Sequence, residues 1–163
     1  MKIAIILQCT KDKSSTPKPA IEFYSGRNYN KILPMVQSLG DIFILSSHYG
    51  LIPSDRVIET YNSTFEINPP GYVRDYTLEY RKQFRNAGVK QQIKMIPVVE
   101  KQLPQLNGYD KIITIFSKEY MNVFLGAGGD RYNVDDWQQK CGGIFNLPNH
   151  IKSKINEYSN HRV

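Results

Sequence analysis

Three short apolar runs, set far apart in the chain, constrain the fold more than any other feature. Lys2 to Leu7, Asp41 to Leu45 and Lys111 to Phe116 are each of strand length and rich in isoleucine. Continuous apolar runs of this kind fit strands buried on both faces, as in parallel sheets. Stretches of helical spacing separate them. Asn28 to Leu39 places Ile32, Leu33, Val36 and Leu39 on one face and stops at Gly40, with Pro34 implying a kink or a later start. Tyr72 to Ala87 reads as helix, and Val89 to Met95 as its continuation. Pro97 is placed to open a segment through Leu103. A further helix starts after Ser117, which is a suitable N-cap, and ends at Gly126. Ile151 to Tyr158 reads as a terminal helix. Alternating strands and helices predict a single three-layer α/β domain over residues 1–163, Rossmann-like, with a mainly parallel sheet. Three clear strands are few, so a fourth is expected in Gly143 to Leu147 or in the irregular stretch 53–71.

Each run ends in a polar cluster. The first ends at Gln8-Cys9-Thr10-Lys11, the second at Ser46-Ser47-His48-Tyr49-Gly50 and the third at Ser117-Lys118-Glu119-Tyr120. Parallel strands bring all three clusters to one edge of the sheet, where open α/β sheets bind ligands. His48 is the candidate acid or base, and Ser46 and Ser47 the candidate groups for positioning water or a leaving group. Cys9, with Lys11 and Lys13 close in sequence, is a candidate nucleophile, or else a small buried apolar side chain. Lys11 suits a phosphate or carboxylate. Ser117 at a helix N-terminus either caps the helix or faces an anion. Asp55 after Pro53 reads first as a turn residue. Gly126-Ala127-Gly128-Gly129 follows a helix rather than a strand, so it is not a dinucleotide fingerprint. No Cys/His spacing suggests zinc, the Asp135–Asp136 pair is a weak pointer to a metal, and no cofactor is implied.

The 163 residues carry a net charge of +6. A basic balance favours an anionic partner such as a nucleotide or nucleic acid, and is equally compatible with an ordinary solvated surface. Arg74, Arg81, Lys82 and Arg85 lie along one candidate helix with Tyr72, Tyr76 and Tyr80, which suits a phosphate backbone and its bases. An amphipathic helix with inward tyrosines is the competing reading. Two cysteines, Cys9 and Cys141, are too few for a disulfide framework. The apolar N-terminus is too short to span a membrane and lacks a signal-cleavage pattern, so a cytoplasmic protein with no membrane partner is expected.

Cys9-Thr10-Lys11-Asp12-Lys13, Ala20 to Gly26, Leu45 to Pro53 and Tyr61 resemble a widespread microbial family of uncharacterised domains. The order Tyr24-Ser25-Gly26, Leu45 to Pro53, Tyr61 and Ser117-Lys118-Glu119-Tyr120 also resembles the YaaA family of peroxide-stress proteins. The likeness implies a fold related to uracil-DNA glycosylases and an association with DNA or modified bases. On it, Tyr24, Tyr49 and Tyr61 join Lys11 and Ser117 as substrate-binding candidates, and Glu119 joins His48, Ser46 and Ser47 as a catalytic one. The chain is shorter than YaaA proteins and has no evident counterpart of their DNA-binding hairpin element. Three functions are therefore expected in turn: N-glycosidase-like hydrolysis at the strand ends, a non-catalytic nucleic-acid-binding module, and thiol-dependent activity at Cys9.

Overall fold

A computed structural model describes residues 1–71, 76–139 and 146–160. The three apolar runs form β1 (Ile3–Gln8), β5 (Asp41–Ser46) and β8 (Lys111–Ile115). β1 is the central strand, parallel to β5 on one side and to β8 on the other. Its side chains Ile3, Ala4, Ile5 and Ile6 are essentially inaccessible, as two covered faces require. The described sheet has five strands, completed by β6 (Gly50–Pro53) and β9 (Val134–Asp136) in the order β6-β5-β1-β8-β9. β9 is parallel to β8, whereas β6 folds back antiparallel on β5 through the turn at Ser47–Tyr49.

The two added strands are where the structure departs from the sequence reading. β6 begins at Gly50, the last residue of the segment read as a polar strand end, and β9 has only three half-buried residues with no apolar run. Of the residues suggested as a fourth strand, 143–145 lie outside the described residues and Leu147 begins helix α5 (Leu147–Asn160). Residues 10–19 contribute two short strands. β2 (Asp12–Lys13) pairs with β4 (Tyr24–Ser25), and β3 (Lys18–Pro19) pairs with β7 (Val57–Ile58).

The helices flank this sheet. After the single turn α1 (Ala20–Phe23) come α2 (Arg27–Val36), α3 (Leu78–Gln102) and α4 (Lys118–Gly126). α3 runs unbroken through Pro97, which therefore does not open a new helix. Pro97 is exposed, and burial of Met95, Val99 and Leu103 on one face holds the last turns together despite the lost N–H. Right-handed crossovers place α2, between β1 and β5, on one face of the sheet. They place α3 and α4, which lead the other way across the sheet, on the opposite face. The helix pairing agrees: α2 packs with α5, and α3 with α4.

β6 is an edge strand, and its outer backbone groups are met by side chains of α3 and the turn after it. Gln102 accepts from the Leu51 N–H at 2.7 Å and donates to the Tyr49 carbonyl at 2.9 Å; Gln105 donates to the Leu51 carbonyl at 2.9 Å. An open edge is thereby closed without another strand. Gly50 makes this possible. Its φ is +77°, and a Cβ there would lie 2.1 Å from Gln102 Oε1.

Candidate functional site

The direction of winding reverses between β1 and β8, so the connections leaving their carboxyl ends part toward opposite faces. A crevice at such a point is the usual ligand position in an open α/β sheet. Cys9 stands at the end of β1 and Tyr120 in the first turn of α4, just beyond β8. The Cys9 thiol and the Tyr120 hydroxyl bridge the divide at 3.0 Å. The Ser47 N–H donates to the same sulfur at 3.5 Å, which ties in the end of β5. Cys9 is only 4% exposed, and its thiol is packed between the three strand ends.

A polar layer extends from this junction. Ser46 accepts from the His48 and Tyr49 N–H groups at 3.1 and 3.0 Å, which shapes the β5–β6 turn. Its hydroxyl donates to Tyr61 at 2.9 Å, and the Tyr61 and Tyr24 hydroxyls share a 2.7 Å hydrogen bond. Ser47 donates to the Ser63 carbonyl at 2.8 Å, and the Ser47 carbonyl accepts from Gln91 of α3 at 2.7 Å. Burial pushes the Tyr24, Tyr61 and Tyr120 hydroxyls well above the ordinary phenol range, so all three stay neutral. The layer is a rigid arrangement of neutral donors and acceptors, with Ser46, Ser47 and Tyr24 committed to internal bonds.

The exposed groups stand around this layer. The His48 imidazole is open to solvent and stacks on Tyr61, with ring centres 5.0 Å apart and planes 16° apart; Tyr49 meets both rings edge-on. Lys13 lies with its ammonium 4.7 Å from the Tyr61 ring centre. Burial lowers the Lys13 pKa. Lys11 lies exposed on the loop leaving β1, and Asp55 exposed in the turn after β6.

On the β8 side the Ser117 N–H is held by the Gln8 side chain, and α4 follows at once. Ser117 occupies the N-cap position, yet its hydroxyl does not cap the helix. Across from it is a residue the sequence did not single out. Glu66 is carried by a loop anchored through Phe65, which is fully buried against the Tyr120 ring at 4.9 Å and whose carbonyl accepts from Gln92 of α3 at 2.8 Å. Burial, reinforced by the negative charge of Glu119, pushes the Glu66 carboxyl up to about 6, while the nearby Ser117 hydroxyl partly offsets the shift. The signal in the sequence was Phe65: a phenylalanine in an irregular stretch marks a return of the chain to the core, and its neighbour comes with it.

Cys9, Tyr24, Ser46, Ser47 and Tyr61 thus gather in one layer with Tyr120; His48 and Tyr49 cover it, and Ser117 and Glu119 meet Glu66 beside it. Asp135 and Asp136 are engaged locally, with the Trp137 indole and with the Gln138 and Gln139 N–H groups. Among the described residues no group of three metal-ligating side chains gathers. No described helix is long and apolar enough to cross a membrane. Cys141, Arg74 and Tyr72 lie outside the described residues.

Residues 4–126, well over half of the chain, match the family described as a family of unknown function (DUF6884), and the chain belongs to that family. No curated protein and no solved structure matches it.

Proposed function

We propose that this member of DUF6884 is a hydrolase acting on the N-glycosidic bond of a nucleoside, nucleotide or nucleic acid, with its site at the Glu66–Glu119 end of the sheet. The observation that carries the reading is the carboxyl pair: Glu66 is raised to about 6 beside Glu119 at the carboxyl edge of a mainly parallel sheet. A carboxyl group raised toward neutrality beside a second carboxyl group is an arrangement by which one site can supply both an acid and a base. The reversal in winding at the site is what a Rossmann-like or uracil-DNA-glycosylase-like sheet offers, and a basic chain suits an anionic substrate.

The chemistry balances with these groups alone. Glu66 gives its proton to the departing base nitrogen as the bond to the sugar carbon breaks. The negative charge of Glu119 stabilises the sugar cation, and Glu119 takes the proton from the water that adds to it. The exposed face of His48, backed by Tyr61, offers a flat platform for the base. The Ser117 hydroxyl, beside the Glu66 carboxyl, is placed to hold a substrate oxygen.

Purified protein incubated with nucleosides, nucleotides and oligonucleotides bearing ordinary and modified bases, followed by chromatography for free base, tests this. Base release is expected, with kcat/KM falling about tenfold per pH unit above the Glu66 titration. Glu66→Gln should lower it by about 100-fold to 10,000-fold. No release from any substrate, or release untouched by Glu66→Gln, refutes the proposal.

A further inference from the structure

We infer that the first turns of α3 form an arm that binds single-stranded nucleic acid and leads it to the Glu66 end of the site. The inference rests on the proposed function for its destination, and on α3 alone for the binding.

Residues 78–87 are all exposed except the half-buried Phe84, and Gly88 is the first buried residue of the helix. Ten residues of helix standing in solvent gain little from packing, and an ordinary solvated helix is usually supported by pairs of opposite charge three or four residues apart. This one is not. From Tyr80 to Lys94 the sequence holds Arg81, Lys82, Arg85, Lys90 and Lys94 and no carboxylate. None of the five makes an ion pair among the described residues. Such uncompensated charge matches a polyanion.

Aromatic rings run along the same segment. Tyr76 and Tyr80 stack at 4.7 Å with planes 12° apart, and Phe84 follows Tyr80 at 6.3 Å. Tyr80 remains 42% exposed, so the row is not simply buried core. Cations interleaved with aromatic rings are what unpaired bases on a phosphate chain require, whereas a duplex hides its base faces.

The direction of the arm links it to the site. Arg81 and Phe84 lie seven and four residues before Gly88, and so share its helical face with Gln92 and Met95. That face meets the body where a Cβ at Gly88 would touch the Glu66 carbonyl oxygen, and where Gln92 holds the Phe65 carbonyl. A strand lying along Arg81 and Phe84 therefore arrives at Glu66. Leu78, Val89 and Ile93 are also exposed, so a second copy of the chain is the competing occupant.

Fluorescence anisotropy with labelled DNA and RNA of about 15 nucleotides, single-stranded and duplex, at about 50 and about 200 mM salt tests the arm. Single strands should bind more tightly than the duplex. Each single-strand phosphate neutralised by a basic side chain adds about 0.7 to the slope of log Kd against log salt, so the triple variant R81A/K82A/R85A should reduce that slope by about 2. Tyr80→Ala should weaken binding by about 5-fold to 100-fold. All four side chains are exposed, and R85E serves as a second probe if the triple variant loses helicity. Equal binding to duplex, or binding unchanged in the triple variant and in R85E, overturns the inference. So does a dimer in sedimentation that Ile93→Glu dissolves. A strand that binds but releases no base sinks the hydrolase reading alone, and base release from oligonucleotides that is indifferent to the arm variants sinks the arm alone.

Discussion

Replacing Gly88 by alanine sets two opposing effects against each other at the point where α3 meets the site loop. In a helix interior, glycine is less favourable than alanine by about 0.5–1 kcal/mol, so helix propensity alone predicts stabilisation. The structure predicts the reverse. A Cβ at this position would lie 2.1 Å from the Glu66 carbonyl oxygen and 2.9 Å from the carbonyl carbon. Both are backbone atoms, which no rotamer change can move aside, and the loop is pinned by the buried ring of Phe65. Overpacking of this kind costs about 1–3 kcal/mol. Subtracting the propensity gain leaves a net loss of up to about 2.5 kcal/mol, with a midpoint of about 1 kcal/mol. For a chain of this size that lowers the melting temperature by up to about 10 °C, with a midpoint of about 2–5 °C. Thermal unfolding followed by circular dichroism reads the change, with Asn86→Ala on the exposed arm as the comparison that should be neutral or stabilised. A Gly88→Ala protein melting at or above the wild-type temperature would show that α3 does not press on residue 66, and the placement of Glu66 would fall with it.

Three further outcomes are expected. Because the folded-state Glu66 carboxyl titrates at about 6 rather than 4.5, its protonated form stabilises the fold. That contribution is complete below 4.5 and is lost as pH rises through about 6, so Glu66→Gln should match wild type in acid and become the more stable protein across that window, with a constant advantage above it. Urea titrations at several pH values check the sign. Gln102→Ala leaves the Leu51 N–H and the Tyr49 carbonyl without their partner and should cost about 2–4 kcal/mol, read as a lower urea midpoint. Tyr120→Phe removes the hydroxyl that meets the Cys9 sulfur and should cost about 1 kcal/mol by the same assay; no loss would mean the β1–β8 junction is held by packing alone.

Much of this arrangement was legible in the sequence because it is local. An apolar run of five or six residues specifies a buried strand by itself, and β1, β5 and β8 begin and end within a residue or so of the runs that announced them. Polar clusters directly after those runs must lie at the strand ends, so Cys9, Ser46, Ser47, His48, Ser117 and Glu119 come to one edge of the sheet without further information. The helix after Ser117 follows from its own apolar spacing and ends at Gly126 as expected; the structure differs in that the Ser117 hydroxyl does not cap it and that Gly128, not Gly126, takes the left-handed conformation.

What the tertiary structure decided rests on contacts between distant parts of the chain. β6 is a strand because β5 pairs with it and Gln102 and Gln105, more than fifty residues later, satisfy its outer edge. β9 is held by pairing with β8, not by its composition. Ser46 and Tyr24 became internal members of a layer because Tyr61 returns from a loop to meet them. Glu66 acquired its unusual acidity from burial and from Glu119, fifty-three positions away. A carboxyl group in an irregular stretch has no periodicity to betray it. Its chemistry is set by the dielectric and the charges around it, and these exist only once the chain has folded.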